Sequence, residues 1–394
     1  MEHALIYTII GSVLVAYLFG MVAGQLRLPP LFGYLLAGIA IGPHTPGFVA
    51  DLSLANQLAE IGIILLMFGV GLHFSLEDLK ASRRVALPGA LVQILVATGL
   101  GALAAQFLGV DLAGSLIYGL ALSVASTIVL IRSFEQRNLL EATAGKIAIS
   151  WLVVEDIAMV LALILLPVIA GSSGDTSPHP LLDMLRATGE VLLKLGLFFA
   201  LMLLIGRRVL PRLLAFSQRF ASEELNTLSV LAIALGCALL AYVVFDASLA
   251  LGAFLAGVML NETDIGRRSV LAASQIRDAF SVLFFVSVGM LFDPLTLWQQ
   301  PVGVLVTCGI IIVAKTLVAM AIGRALRVPK TVLYPVAAGL AQIGEFSFIL
   351  GGLGLHLHLI SQEIYNLILA GAMLSIVLNP FLFRWMDSRL KQPH

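Results

Sequence analysis

Long apolar stretches alternate with short polar connections along the entire chain. A helix needs about 20 predominantly apolar residues to cross the hydrocarbon core of a bilayer. By this measure the pattern predicts an all-α polytopic membrane protein with thirteen transmembrane helices, of which the second and the ninth are short and rich in glycine. The predicted spans cover residues 4–26, 30–43, 57–74, 85–108, 112–134, 143–170, 187–206, 223–245, 247–261, 278–292, 301–323, 331–355 and 363–386.

Composition supports the membrane class. The 394 residues are 60% hydrophobic and 12% charged, whereas a soluble domain is about 25% charged. A formal net charge of zero argues against a nucleic-acid partner. Cys237 and Cys308 lie in apolar stretches, which favours small buried side chains over a disulfide or a metal site. The first apolar stretch has no basic leader or cleavage signal, so we interpret it as a mature span.

The basic residues test the span count independently, because cytoplasmic loops are enriched in Lys and Arg. With the N-terminus outside, all but three of the 23 Lys and Arg residues fall at the inner ends of the spans. The exceptions are Arg186, Lys194 and Lys315. An error of one span would destroy this asymmetry, so the sequence predicts an outer N-terminus and a cytoplasmic C-terminus.

Two sequence matches indicate an internal repeat. GYLLAGIAI at 33–41 matches GAFLAGVML at 252–260, and FGVGLHF at 68–74 matches VSVGMLF at 286–292, at nearly the same offset. Shared composition of membrane helices is the alternative. The matched spans are seven apart, an odd number, so the repeats would be inverted, as in secondary transporters. We predict two inverted six-helix repeats, at about 1–172 and 222–388, joined by a linker helix at about 187–212.

Four charged residues lie near the centres of predicted spans. They are Glu155 and Asp156 in the sixth, Lys315 in the eleventh and Glu345 in the twelfth. A charge at the bilayer centre costs about 2.5–3.5 kcal/mol on insertion scales, so such residues indicate a function. Neighbouring helical residues project about 100° apart, so the two adjacent carboxylates cannot be equivalent in one site.

A buried carboxylate can hold a proton or an alkali cation but not both. Competition of this kind, combined with alternating access, produces obligatory exchange. We assign the ion- and proton-binding role to Asp156 and Glu155, with Lys315 and Glu345 coupled to the site. Structural roles stay open for all four. Asp156 could belong to a purely structural ion pair, and Glu155 could brace its helix. Lys315 could be a static partner of either carboxylate, and Glu345 could cap backbone amides or balance Lys315.

Two spans carry small and polar residues at positions where large apolar residues would be usual. The fifth contains LSVASTIVLI at 122–131, and the twelfth contains GLAQIGEFSF at 339–348. At such positions a helix can unwind and offer backbone carbonyls or half-helix ends to an ion. Close packing of helices through small residues is the alternative. The inferred repeat pairs these two spans.

The motifs together resemble a known family. RNLLEATAGKIAISWLVVEDIAMV, preceded by SVASTIVLI and followed by AQIGEFSF, is similar to the monovalent cation:proton antiporter-2 family, and most to its Kef-type potassium/proton antiporters. The resemblance covers essentially the whole chain. It implies a thirteen-span fold with crossed broken helices, a homodimer embedded in lipid of a bacterial inner membrane, and a mobile core that moves like an elevator against a scaffold.

The resemblance also implies roles for individual residues. Asp156 is similar to the ion-binding aspartate, and Lys315 to a basic residue that pairs with the acidic site. Ser126 and Thr127 match one crossover segment, and Gln342, Gly344 and Glu345 match the other. The core would comprise about 57–74, 85–108, 112–134, 143–170, 278–292, 301–323, 331–355 and 363–386, and the scaffold about 1–43 and 187–261.

Two features depart from the family pattern. Kef-type members have Gln-Asp where this chain has Glu155 and Asp156, and sodium-exchanging relatives often have Asp-Asp. The additional carboxylate leaves open the stoichiometry and the preference for K⁺ over Na⁺. Such relatives also continue into a cytosolic nucleotide-binding domain, which this chain lacks after RLKQPH, so we expect a transmembrane exchanger unit alone, without nucleotide control.

The leading hypothesis is therefore K⁺/H⁺ exchange. Na⁺/H⁺ exchange at the same site is the nearest alternative, and a passive cation channel along the same polar path is another. A symporter for organic anions fits poorly with an acidic site. We expect no enzymatic activity, no resident cofactor and no transition-metal site.

Overall fold

The computed structural model describes residues 4–26, 28–46, 50–73, 76–140, 142–172, 180–219, 222–245, 247, 249–261 and 264–390. Two basic residues used for the orientation, Arg27 and Lys391, lie outside these ranges. Within the described ranges the regular secondary structure is entirely helical. The all-α fold class is therefore confirmed.

The described residues form eighteen α-helices and two π-helical turns. The helices are α1 (Ala4–Gln25), α2 (Pro30–Ile41), α3 (Leu52–His73), α4 (Leu76–Phe107), α5 (Leu112–Ser123), α6 (Thr127–Glu135), α7 (Thr143–Ser172), α8 (Pro180–Leu201), α9 (Arg207–Gln218), α10 (Glu223–Phe245), α11 (Leu249–Asn261), α12 (Asp264–Met290), α13 (Thr296–Gln299), α14 (Pro301–Cys308), α15 (Lys315–Ala325), α16 (Lys330–Gly339), α17 (Glu345–His356) and α18 (Gln362–Leu390). The π-helical turns, Met202–Gly206 and Gly309–Ala314, join α8 to α9 and α14 to α15.

Every predicted span overlaps one helix or consecutive helices. In the described part of the chain, five helical stretches are long and apolar enough to cross a membrane. These are Leu5–Gln25, Arg84–Phe107, Glu224–Phe245, Pro301–Ala325 and Gln362–Arg389. Shorter apolar helices include Pro30–Ile41 and Leu249–Asn261, which are the two short spans predicted from sequence. The number of thirteen crossings stays a prediction.

Both predicted helix interruptions are present. α5 ends at Ser123, residues 124–126 are not helical, and α6 begins at Thr127. α16 ends at Gly339, and five non-helical residues precede the start of α17 at Glu345. The fifth and twelfth spans are therefore pairs of half-helices, whose unpaired backbone groups need other hydrogen-bond partners.

The chain divides into two compact units. The first comprises Met1–Ala16, Gly47–Ser75 and Leu163–Ser287, and the second comprises Tyr17–Pro46, Leu76–Ala162 and Val288–His394. Each unit draws on both halves of the sequence. The units differ from the predicted core and scaffold, since the third span lies in the first unit, and the division into core and scaffold stays a prediction.

A buried aromatic and aliphatic cluster holds the second unit together around both interrupted spans. Leu130 and Phe134 of α6 pack with Trp151 of α7, Leu340 and Phe383. The Phe134 and Phe383 rings meet edge to face, with centroids 6.0 Å apart. Aromatic pairs of this kind contribute about 0.5–1.5 kcal/mol beyond area burial. The cluster therefore fixes α6 against α7 and α18, beside the break that precedes Thr127.

Equivalent glycines allow equivalent helix contacts in the two units. In the first unit, a side chain at Gly252 of α11 would collide with the carbonyl of Cys237 on α10. In the second, a side chain at Gly33 of α2 would collide with the carbonyl of Phe19 on α1. The two glycines are the first residues of the matched sequence segments, so the sequence match extends to the contacts.

A second pair of contacts follows the same relation. A side chain at Gly71 of α3 would collide with the carbonyl of Phe254 on α11, within the first unit. One at Gly289 of α12 would collide with the carbonyl of Leu35 on α2, within the second. Both glycines and both carbonyl residues are aligned by the two sequence matches. Each of these two helix contacts is therefore formed by one segment from the first half of the chain and one from the second half.

Candidate functional site

The two helix breaks meet inside the second unit, and a single side-chain amide joins them. The backbone N–H of Ser126 donates to Oε1 of Gln342 at 3.0 Å, and Nε2 of Gln342 donates to the carbonyl of Ser126 at 3.0 Å. The same Nε2 donates to the carbonyl of Gly339, also at 3.0 Å. Gln342 is fully buried and thus provides the partners that unwound backbone requires away from water.

Ser126 and Gly344 are tightly packed against each other where the breaks meet. A Cβ at Gly344 would overlap the side chain of Ser126, so only glycine fits there. The Ser126 hydroxyl donates to Oε2 of Glu345 at 3.0 Å and accepts the N–H of Val129 at 3.3 Å. Ser126 therefore caps α6 and also binds the first residue of α17, where a carboxylate is favoured by the helix dipole.

Glu155 lies on α7 with both carboxylate oxygens occupied. Oε1 accepts from Nε2 of Gln93 at 2.8 Å and from the indole N–H of Trp151 at 3.2 Å. Oε2 accepts the backbone N–H of Ala125, in the first break, at 2.9 Å. The side chain is fully buried. Three donors satisfy an ionised carboxylate well, and they tie Glu155 to α4 and to the break.

Asp156 differs from its neighbour in its contacts. Its Oδ2 accepts the hydroxyl of Thr127 at a long 3.4 Å, while its buried Oδ1 has no hydrogen-bond partner in the described part of the molecule. The residue is 5% exposed. Glu345 and Glu155 are its electrostatic neighbours. A buried acceptor without a donor is costly, so this oxygen is the one open position of the acidic pair.

Lys315 begins α15, directly after the second π-helical turn, and is fully buried. Its Nζ donates to the carbonyl of Gln342 at 3.0 Å, and its charge interacts with that of Glu155. π-helical turns often occur at functional sites. Of the two partners considered from sequence, Glu155 is the carboxylate with which Lys315 interacts.

The structure brings all eight predicted site residues together. They are Ser126, Thr127, Glu155, Asp156, Lys315, Gln342, Gly344 and Glu345, and they are linked by the contacts described above. The described part of the chain has no group of three or more His, Cys, Asp or Glu residues arranged to hold a metal ion. The chemistry available is that of carboxylates, hydroxyls and backbone carbonyls, which suit a proton or a hard cation.

The family of the chain is established by its match to a family model. Residues 10–387 match the family model described as sodium/hydrogen exchanger, transmembrane, which is nearly the whole chain. The chain belongs to the sodium/hydrogen exchanger family. The resemblance to cation:proton antiporters that the motifs implied is confirmed, and so is a multi-pass membrane protein.

Relatives of the exchanger support the same conclusion. The cation/proton antiporter YbaL of Escherichia coli (strain K12) is 52% identical over 395 residues, covering 99% of this chain and 70% of the relative. K(+) efflux antiporter 5 of Arabidopsis thaliana is 33% identical over 388 residues, covering 98% and 67%. The solved sodium proton antiporter MjNhaP1 from Methanocaldococcus jannaschii has a TM-score of 0.70 at 20% identity and covers 99% of both chains, which establishes a common fold.

Sequence reasoning missed several polar residues that support the exchanger's site. Gln93 and Trp151 bind Glu155, Ser375 accepts the N–H of Ile343 at 3.4 Å, and Asn379 donates to the carbonyl of Ala338 at 2.7 Å. A lone amide within an apolar span was the available signal for Gln93 and Asn379, because a buried amide requires a partner. The identity of that partner was not readable from the sequence.

An ion pair on α8 lies outside the site. Nζ of Lys194 lies 2.6 Å from Oε1 of Glu190, four residues earlier on α8. This pair accounts for two charged residues of the seventh span within their own helix, and the exchanger's site does not involve them.

The buried charges of Glu155 and Lys315 predict non-additive effects on stability. Glu155→Gln or Lys315→Met alone leaves one buried charge without its counter-charge and should destabilise the exchanger by about 3–5 kcal/mol, whereas removing both should cost much less. Thermal unfolding of the purified exchanger in detergent measures this. A double variant as unstable as the sum of the single variants would show that the two charges do not compensate each other.

Proposed function

We propose that this exchanger is a secondary active monovalent cation/proton antiporter that exchanges K⁺ for H⁺, with both ions competing for Asp156. The single observation on which the proposal rests is that the buried Oδ1 of Asp156, beside the crossing of two helix breaks, has no hydrogen-bond partner among the described residues. The relatives named as a cation/proton antiporter and as a K(+) efflux antiporter agree with it.

The competition follows from the chemistry of one carboxyl group. When Asp156 is ionised, its open oxygen and the Thr127 hydroxyl are oxygen ligands for an alkali cation. When a proton occupies the carboxyl group, the charge that attracts the cation is gone. Each passage of the site across the membrane then moves one ion or the other, and a single mobile site is sufficient for exchange.

Glu155 enters the proposal as the companion of Asp156. Both of its oxygens already accept hydrogen bonds, and the charge of Lys315 is nearby. A carboxylate engaged in this way is poorly available to a cation. We therefore assign Glu155, Lys315 and Glu345 to holding the site in shape, while Asp156 binds the transported ions.

Alternating access requires two related arrangements of the helices, and we infer that they come from two inverted six-helix repeats. The equivalent contacts of Gly33 and Gly252, and of Gly71 and Gly289, support this inference. We further propose thirteen crossings with the N-terminus outside, a homodimer in a bacterial inner membrane, and elevator movement of a core that contains the crossed breaks. Inverted repeats with broken helices at the binding site are typical of secondary transporters.

Reconstitution into liposomes tests the proposed function. With a pH-sensitive dye inside, an outward K⁺ gradient should drive proton uptake, and the signal should require the exchanger. Parallel gradients of Na⁺ and Li⁺ establish which cation is exchanged. A larger response to Na⁺ than to K⁺ would identify Na⁺ as the substrate instead of K⁺. Cation flux without a coupled pH change would indicate a channel and contradict the proposal.

A further inference from the structure

We propose that Gln93 is a positioning residue of the exchanger. Its amide holds the Glu155 carboxylate in place, and through that carboxylate it fixes the break that presents Thr127 to Asp156. The inference rests on the proposed exchange at Asp156 and adds a residue that does not touch the transported ion.

Among the described residues, the Gln93 side chain forms its one hydrogen bond with Glu155. Gln93 is fully buried on α4, and its Nε2 donates to Oε1 of Glu155 at 2.8 Å, the shortest of the three bonds that Glu155 accepts. Its own Oε1 has no partner among the described residues. A buried amide with an unsatisfied oxygen destabilises a fold. We therefore attribute the hydrogen bond of Gln93 to the positioning of the Glu155 carboxylate and not to the stability of the fold.

Gln93 is also the side-chain donor that reaches Glu155 from another helix. Trp151 lies four residues before Glu155 on the same helix, so its bond orients the carboxylate only relative to α7. The bond from Gln93 joins α7 to α4. Together the two donors set the direction of the carboxylate in three dimensions.

The effect reaches the ion site through the backbone. Oε2 of Glu155 accepts the N–H of Ala125 within the first break, and α6 begins two residues later at Thr127, whose hydroxyl binds Asp156. A shift of the carboxylate therefore shifts the start of α6. Loss of the Gln93 bond should loosen the Thr127 contact without removing any group from Asp156.

The ionised Glu155 carboxylate accepts a hydrogen bond from Gln93, so substitutions that remove or alter this donor test the inference. Gln93→Met keeps the approximate size and removes the donor. Gln93→Glu keeps the shape, but a carboxyl group there donates only while it holds a proton, and two close carboxylates favour sharing one proton.

The charged groups around this position are the same in every variant that keeps Glu155. Lys315 interacts with Glu155 from α15, and Asp156 interacts with both Glu155 and Glu345. A difference in pH profile between Gln93→Glu and the wild type therefore reports the new carboxyl group. Thr98→Val is the matched control, because Thr98 is also on α4 and its hydroxyl has no partner in the described residues.

The experiment measures proton flux against K⁺ concentration and pH in liposomes containing each variant. Loss of one hydrogen bond to a charged group should raise the apparent KM for K⁺ about tenfold in Gln93→Met, with the maximal rate nearly unchanged. Gln93→Glu should approach wild-type exchange at acid pH and lose it as pH rises. Thr98→Val should match the wild type.

The outcomes separate this inference from the function on which it rests. If the wild type exchanges K⁺ for H⁺ but Gln93→Met has the same KM as Thr98→Val, Gln93 is not a positioning residue. The same conclusion follows if Gln93→Glu keeps the wild-type pH profile. Absence of coupled flux in the wild type would instead contradict the proposed function.

Discussion

Asp156→Asn should abolish cation/proton exchange in a protein that still folds. An amide at this position keeps nearly the same shape and can still accept the Thr127 hydroxyl, but it holds neither a proton nor a negative charge. A unit charge 4 Å from a cation contributes about 4 kcal/mol at an effective dielectric constant of 20, which corresponds to about a thousandfold in affinity. Flux in liposomes should therefore fall to the level of empty vesicles.

The control for this substitution is Asp387→Asn. Asp387 is half exposed on α18 and lies 3.9 Å from Arg137, outside the helix crossing. The same chemical change there should leave exchange intact. If Asp156→Asn exchanged ions at the wild-type rate, the assignment of the shared site to Asp156 would be wrong.

Gly344→Ala should prevent the two breaks from crossing and should strongly impair both folding and exchange. The new methyl group would overlap the Cβ of Ser126, and the Cα and hydroxyl of Ser126 are close as well. Relief would require backbone movement at the point where Gln342 joins the breaks. Overpacking of this kind costs about 1–3 kcal/mol or more, and here it also displaces Glu345.

Gly352→Ala on α17, the helix that follows Gly344, is the matched control, because among the described residues its Cβ would meet only the hydroxyl of Tyr365, at 3.8 Å. Thermal unfolding in detergent and flux in liposomes measure both variants. Gly344→Ala should have a lower unfolding temperature and little flux, whereas Gly352→Ala should show neither effect. Equal behaviour of the two variants would show that close approach at Gly344 is not needed.

The helix breaks were predictable because their sequences are locally unusual. Ser126 and Gly344 stand in apolar spans where a continuous helix would favour larger residues, and each lies in a non-helical segment of the structure. Local composition thus located both unwound segments. It could not reveal that Gln342 bonds to both sides of Ser126, because pairing between segments more than two hundred residues apart leaves no periodic signal in either.

The inequality of the two carboxylates was predictable, but its physical cause was not. The angular separation of adjacent helical residues already implies different surroundings for Glu155 and Asp156. Glu155 is the carboxylate whose oxygens are occupied, because it accepts hydrogen bonds from Gln93 of α4 and from the backbone N–H of Ala125. Neither could be assigned as a partner without the packing of α4 against α7.

Helix ends were the least predictable part of the fold. The third span was expected from residue 57 and the fourth from 85, whereas α3 begins at Leu52 and α4 at Leu76. Hydropathy marks the part of a helix that can lie in hydrocarbon, and polar residues can continue the same helix beyond it. The eleventh span likewise contains a π-helical turn, Gly309–Ala314, that its apolar sequence does not indicate.

The dependence of the apparent KM for K⁺ on pH tests competition at Asp156 most directly. It is measured as proton flux from wild-type exchanger in liposomes, over a series of K⁺ concentrations at each pH. If proton and cation share one site, the apparent KM should rise about tenfold for each unit of pH decrease once the site is mainly protonated, at constant maximal rate. An apparent KM that does not change with pH while the maximal rate falls would contradict a shared site.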